Sequence, residues 1–291
     1  MVSRIECAKN KSIRLRITAL ILPVSIFLTV FFILFSMGRM EPLVHDEAVY
    51  LTKARLWQEG TPADEFRIYR PIGMPILGRA FLQFSQSEDD VRIFGVFFGA
   101  LSAVFLYLLF EKISGQVVGI ITTAIVVSSS LFLQNAPQFL NDIPSSGLLL
   151  GSLLVIWNWY ETKGESNSIY LFALFSAAAF YLRYGVSSTL VVLVLVSFYF
   201  LVKNSAENNG LKYGKLLDTF ILSFILFSPH FIESFIETNN VFGILSRSGD
   251  AAGREYLGKG LLDYIRWLPN EIGGWLLGVS SIIGVVSCKK S

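Results

Sequence analysis

Residues 17–37, "ITALILPVSIFLTVFFILFSM", run for 21 positions without a charge. An α-helix needs about 20 consecutive apolar residues to cross the ~30 Å hydrocarbon layer of a bilayer. Further apolar runs recur near 92–110, 116–133, 143–160, 168–182, 186–202, 216–232 and 270–287, the third and fifth of the eight being short. In lipid every backbone polar group must be satisfied within the protein, so runs of this length are expected to be helices. The expected fold is an all-α polytopic membrane bundle of about eight transmembrane helices, one domain over residues 1–291. Composition agrees: 53% of residues are hydrophobic, 16% are charged and the mean hydropathy is +0.57, which leaves too little polar surface for a water-soluble domain.

The first run reads as a retained signal anchor, being too long for a cleavable leader and lacking a small-x-small site before "GRMEP". Lys and Arg near helix ends set the orientation. Arg4, Lys9, Lys11, Arg14 and Arg16 place the N-terminus in the cytoplasm. Alternation then puts Lys112, Lys163, Lys203 to Lys215 and Lys289–Lys290 on that same side. The cytoplasmic side would carry 12 basic and 6 acidic residues and the outer side 12 and 16, so the acids concentrate outside. A net charge of +2 gives no sign of a nucleic-acid partner. Cys7 and Cys288 both fall on the cytoplasmic side, with neither a disulfide framework nor metal-ligand spacing. The sequon Asn10-Lys11-Ser12 lies in the cytoplasmic tail, where it would not be glycosylated.

The expected outer connections at 38–91 and 233–269 are long, whereas the cytoplasmic ones are short. Within the first, Ala48, Val49, Leu51, Ala54, Leu56 and Trp57 form a rough helical stripe that Gly60-Thr61-Pro62 stops. Pro75 opens a second expected helix with Ile76, Leu77, Ala80 and Phe81 along one side. Both read as helices lying in the membrane interface. Ser87 and Asp90 read as a variant capping box at the head of the second span.

Several positions in these connections could carry chemistry. Asp46 and Glu47 lie a short way beyond the end of the first span. An Asp caps helices and a Glu suits the first turn, but a partly desolvated carboxylate at a membrane surface is also a plausible general base. Asp142, in "NDIPSSG", fits a helix start equally well and shares the membrane face of Asp46. Arg70 in "IYRPIG" and Arg183 in "YLRYG" sit at that face too. An Arg there either snorkels to the headgroups or grips a phosphate through paired bonds. His230, in "FSPHFIESF", reads first as a structural hydrogen-bonding residue at a span end. Carboxylates and guanidinium groups converging at headgroup depth suit displacement of a lipid phosphate from a sugar.

The stretches "HDEAVYLTKARLWQEG", "YRPIGMPIL", "VRIFGVFFGALSAVFLYLLFEKISGQVVGIITTAIVVSSSLFLQNAPQFLNDIPSSGLLLGSLLVIW", "LRYGVSSTLVVLVLV", "SPHFIESFIETNNVFG" and "YIRWLPNEIGGWLLGVSSIIG" occur in an order that resembles the GT-C membrane glycosyltransferases. Those enzymes use polyprenyl-phosphate sugars. They include the dolichyl-phosphate-mannose–protein mannosyltransferases and the lipid A aminoarabinose transferase. The resemblance implies inverting transfer of a sugar from a polyprenyl-phosphate donor to a protein, lipid or glycan at the outer face, within a GT-C-like bundle. It implies Asp46 as catalytic base and Glu47 as its companion. Asp142 would bind acceptor or a divalent cation, the one cofactor the resemblance leaves room for, with Asp46 and Asp142 as its ligands. Arg70 and Arg183 would hold the donor phosphate, and Tyr69 and His230 complete the substrate-binding set. The expected eight spans are fewer than the family commonly has, so beside it this sequence is short at its C-terminal end.

Two other classes make different predictions. A secondary transporter would place ionisable residues or Gly/Pro breaks near the centres of paired spans, and Pro23 is the clearest break and has no counterpart. A catalytically inactive scaffold of a glycosylation pathway would keep the bundle without turnover.

Overall fold

Among the described residues the apolar runs do form helices, and helix–helix approach rather than sheet pairing builds the core. The computed structural model describes residues 2–38, 42–61, 70–85, 87–206 and 214–248, with the backbone alone at 2–19, 88, 201 and 204–206. Tyr69, the expected eighth span at 270–287, Cys288 and Lys289–Lys290 lie outside the described residues. Regular structure among the described residues is all helical. The helices are α1 (Val2–Gly38), α2 (His45–Gln58), α3 (Gly73–Leu82), α4 (Glu88–Val91), α5 (Ile93–Ser114) and α6 (Gln116–Val127). They continue as α7 (Ser130–Asn135), α8 (Asp142–Glu161), α9 (Tyr170–Leu182), α10 (Ser187–Ala206) and α11 (Gly214–Thr238), with 3₁₀ turns at Asn167–Ile169 and Tyr184–Val186.

Among the described residues, the stretches Leu20–Gly38, Asp89–Ser114 and Gly214–Thr238 are long and apolar enough to cross a bilayer. Gln116–Val127, Asn167–Leu182 and Tyr184–Phe200 are apolar but shorter. The third expected span is broken. Ser128 and Ser129 donate their hydroxyls back to the carbonyls of Ile125 (3.1 Å) and Val126 (2.7 Å), and Ser129 then caps α7 through Phe132 N. Serine hydroxyls that bond local carbonyls offer the backbone an alternative to continuing the helix.

Helix α5 packs on α1, α6 and α8, α8 on α9, and α9 on α11. The α5–α8 approach depends on Gly147, where an added Cβ would lie 1.9 Å from Ser102 Oγ. Large apolar side chains such as Phe32, Ile121, Leu195 and Phe224 point outward, as expected where the surrounding solvent is lipid. The bundle has two ends. One carries Lys112, paired with Glu161 at 2.8 Å, and Lys215, bonded to the Glu165 carbonyl. The other carries α2, α3, the starts of α5 and α8, and the ends of α1 and α9.

At that second end a cluster of Tyr50, Leu51, Ala54, Met74, Phe139, Phe180, Leu182 and Tyr184 joins α2, α3 and the α9 tip. Helix α3 turns its Met74, Pro75, Gly78 and Leu82 face inward. Of the expected stripe, Ile76 and Ala80 are exposed, while Leu77 and Phe81 edge the core. The expected Ser87–Asp90 box does not form. The Ser87 side chain caps nothing, and Ser85 Oγ instead donates to Asp90 Oδ2 (2.6 Å) and accepts from Ser87 N (3.2 Å).

Candidate active site

Asp46 and Glu47 occupy successive positions on α2, about 100° apart around the helix axis, and this separates their environments. Glu47 points into the bundle and is fully buried. Its Oε1 accepts from Arg92 Nε (3.0 Å) and Phe139 N (2.6 Å), and its Oε2 from Arg92 Nη2 (2.8 Å) and Val44 N (3.0 Å). Arg92, just ahead of α5, also donates to the carbonyls of Gly38 (2.7 Å) and Pro42 (3.0 Å). A buried ion pair tolerates desolvation only when its remaining lone pairs and protons find partners, and these do. One node thereby joins the end of α1, the start of α2, the head of α5 and the loop three residues before Asp142.

Asp46 faces outward. Val44, with no side-chain oxygen, takes the N-cap position, so Asp46 caps nothing. Its Oδ1 instead meets Arg70 Nη2 at 3.0 Å. The Arg70 guanidinium lies over the Tyr50 ring, 6.0 Å from its centroid. Burial alone would push the Arg70 pKa down, but the bond to Asp46 and that carboxylate's charge outweigh it, and the net shift is upward. Burial pushes the Tyr50 phenol up, against Arg70, which pulls it down; the charges of Asp46 and Arg183 also reach it.

Asp142 opens α8 and pairs with Arg183, which ends α9. Asn141 Nδ2 donates to the Leu182 carbonyl at 3.0 Å and holds these two helix ends together. Arg183 is extended (φ −152°, ψ 110°), and the 3₁₀ turn after it leads straight into α10. The segment after Arg70 presses on the same tip: a Cβ on Gly73 would lie 2.6 Å from the Tyr181 carbonyl oxygen. Four separate segments thus bring Asp46, Arg70, Asp142 and Arg183 to one end of the bundle.

His230 lies below this rim on α11, fully buried, 4.8 Å from the Phe180 ring and 4.7 Å from that of Tyr184. Neither of its ring nitrogens has a hydrogen-bond partner among the described residues. No group of three or more His, Cys, Asp or Glu side chains among the described residues is placed to hold a metal ion.

Arg92, Tyr50 and Asn141 join the site without having stood out in the sequence. Arg92 carries the best signal of the three, a charge at the head of a 19-residue apolar run, where it reads as the first residue of the expected span at 92–110.

Residues 70–232, more than half of the 291 residues, match the family model for dolichyl-phosphate-mannose-protein mannosyltransferases. The chain belongs to that family. No curated relative and no solved structure matches it. The matched stretch holds Arg70, Arg92, Asp142, Arg183 and His230 and begins after Asp46 and Glu47. Family and apolar helices together make this an integral membrane protein and a GT-C glycosyltransferase, with a polyprenyl-phosphate sugar donor and an acceptor as its substrates.

Proposed function

We propose that the protein transfers a sugar, with inversion, from a polyprenyl phosphate to an acceptor on the non-cytoplasmic side of the membrane. The observation that carries this reading is the gathering of two carboxylates and two guanidinium groups, from four segments, at one end of an apolar bundle. Arg70 and Arg183 bind the donor phosphodiester in this reading, and their charges neutralise the departing polyprenyl phosphate. Asp46, half-exposed, takes the proton of the acceptor hydroxyl as its oxygen attacks the anomeric carbon. The bond between that carbon and the phosphate oxygen breaks on the opposite face, which inverts the configuration. Asp142 orients the acceptor.

Glu47 acts as a positioning residue in this reading. Its carboxylate is sealed and its role is to fix Asp46 against the α8 start. His230 supports the Arg183 hairpin from below.

The site end is assigned to the outer face from the distribution of basic residues, which favours a cytoplasmic location for the other end. An eight-span bundle forming one domain then has both termini in the cytoplasm. The deciding experiment supplies a labelled polyprenyl-phosphate sugar to membranes containing the protein. Transfer should occur and should vanish in Asp46→Asn while the protein stays folded. Transfer undiminished in Asp46→Asn removes the proposed base, and no transfer with any donor removes the proposed function.

A further inference from the structure

The site's two outward ion pairs each engage a nitrogen of a guanidinium group that a phosphate would need. Arg70 is held by Asp46 at 3.0 Å and Arg183 by Asp142, so the four formal charges cancel. A phosphodiester bears one negative charge, and a guanidinium grips it best through two parallel bonds. Anion entry therefore competes with the carboxylates.

The contrast with the sealed pair shows which contacts are built to open. Glu47 and Arg92 are 0% and 3% exposed and are bonded to four further backbone groups. Asp46, Asp142 and Arg183 are 47%, 45% and 46% exposed, so a displaced carboxylate passes into water without a large desolvation penalty. Meanwhile both arginines stay in place: Tyr50 supports Arg70 from below, and the Asn141–Leu182 bond holds the backbone beside Arg183.

We propose that the resting site is self-occupied, with Asp46 and Asp142 standing in for the donor phosphate on Arg70 and Arg183. The phosphodiester enters by exchange, and only that exchange frees Asp46 to accept a proton. Asp142 is thus an internal competitor that sets donor affinity. This rests on the donor reading given above.

The test is binding of a polyprenyl monophosphate, the lipid released by transfer, to the full-length protein in phosphatidylcholine nanodiscs. Neutral lipid removes any contribution from membrane charge. Asp142→Asn should bind about tenfold tighter than wild type, equivalent to about 1.4 kcal/mol. The gain should vanish in the double variant Asp142→Asn/Arg183→Gln, because the competition requires Arg183. Asp142→Ser serves as the second variant and should behave like Asp142→Asn. Asp46→Asn should also bind more tightly while transferring nothing.

Equal or weaker binding by Asp142→Asn, with wild type still transferring sugar, overturns the exchange and leaves the donor reading standing. A gain that survives without Arg183 overturns it as well, as a general charge effect. Absence of both binding and transfer in every protein overturns the two together.

Discussion

Glu47 and Arg92, 45 residues apart in sequence, share two hydrogen bonds at 2.8 and 3.0 Å in a region closed to water. Asp46, the immediate neighbour of Glu47, meets its own arginine nearly half exposed. The adjacent carboxylates therefore differ in environment. Removing one member of a buried pair leaves an uncompensated charge and costs about 3–5 kcal/mol, whereas an exposed pair contributes about 0–1 kcal/mol. Glu47→Gln and Arg92→Met should each lower the thermal unfolding midpoint in detergent sharply, and Asp46→Asn should leave it close to that of wild type. Equal midpoints for all three would contradict the sealed node.

Arginine geometry gives the second prediction. Lysine keeps the charge at positions 70 and 183 but loses the fork that binds two phosphate oxygens at once. Arg70→Lys and Arg183→Lys should raise KM for the donor by about tenfold, the equivalent of one lost charge-assisted bond. KM for the acceptor should barely move. A pure fall in kcat with unchanged donor KM would separate these residues from phosphate binding.

How far the sequence reveals this arrangement depends on the range of the interaction concerned. The helices are legible because bilayer thickness sets a local length requirement, and α5, α8 and α11 follow the expected runs at 92–110, 143–160 and 216–232 closely. The broken third run is harder to see, since Ser128 and Ser129 look like ordinary polar insertions until their hydroxyls are placed. The inward face of α3 is not legible at all. Apolar residues surround most of the helix, with Arg79 the one charge on its outward side, and contact with the α9 tip turns Met74 rather than Ile76 inward. Asp46, Asp142, Arg70 and Arg183 are visible as charges beside apolar runs, but caps and snorkelling side chains look the same, and the family resemblance singles them out. Arg92 is passed over because it reads as the first residue of an expected span.

Gly73 provides the third prediction. Its Cα lies so close to the α9 tip that an added Cβ would come within 2.6 Å of the Tyr181 carbonyl and 3.0 Å of Leu182 Cδ2. Backbone cannot yield as a flexible side chain does. Gly73→Ala should cost about 1–3 kcal/mol of stability and push the Arg70 segment away from Arg183. The expected kinetic result is a higher donor KM out of proportion to any loss of folded protein. Normal kinetics at normal stability would show that the two arginines are positioned independently.

His230 gives the last prediction, because its ring lies in an apolar cage with both nitrogens unbonded among the described residues. A buried polar group without a partner costs about 1–3 kcal/mol, and replacing it with an apolar group of similar shape recovers that amount. Phenylalanine keeps the ring contacts with Phe180 and Tyr184 while removing the nitrogens. His230→Phe should therefore unfold at the same temperature as wild type or higher, with donor KM unchanged. His230→Ala should lose about 3–5 kcal/mol, since it empties the space the ring fills beneath the Arg183 hairpin. The pair of variants separates packing from bonding: shape loss harms only the alanine variant, whereas loss of a bonded ligand harms both. If His230→Phe lowers the unfolding midpoint and raises donor KM, the nitrogens hold a substrate group in the working enzyme. His230 would then belong to the binding site and not to its foundation.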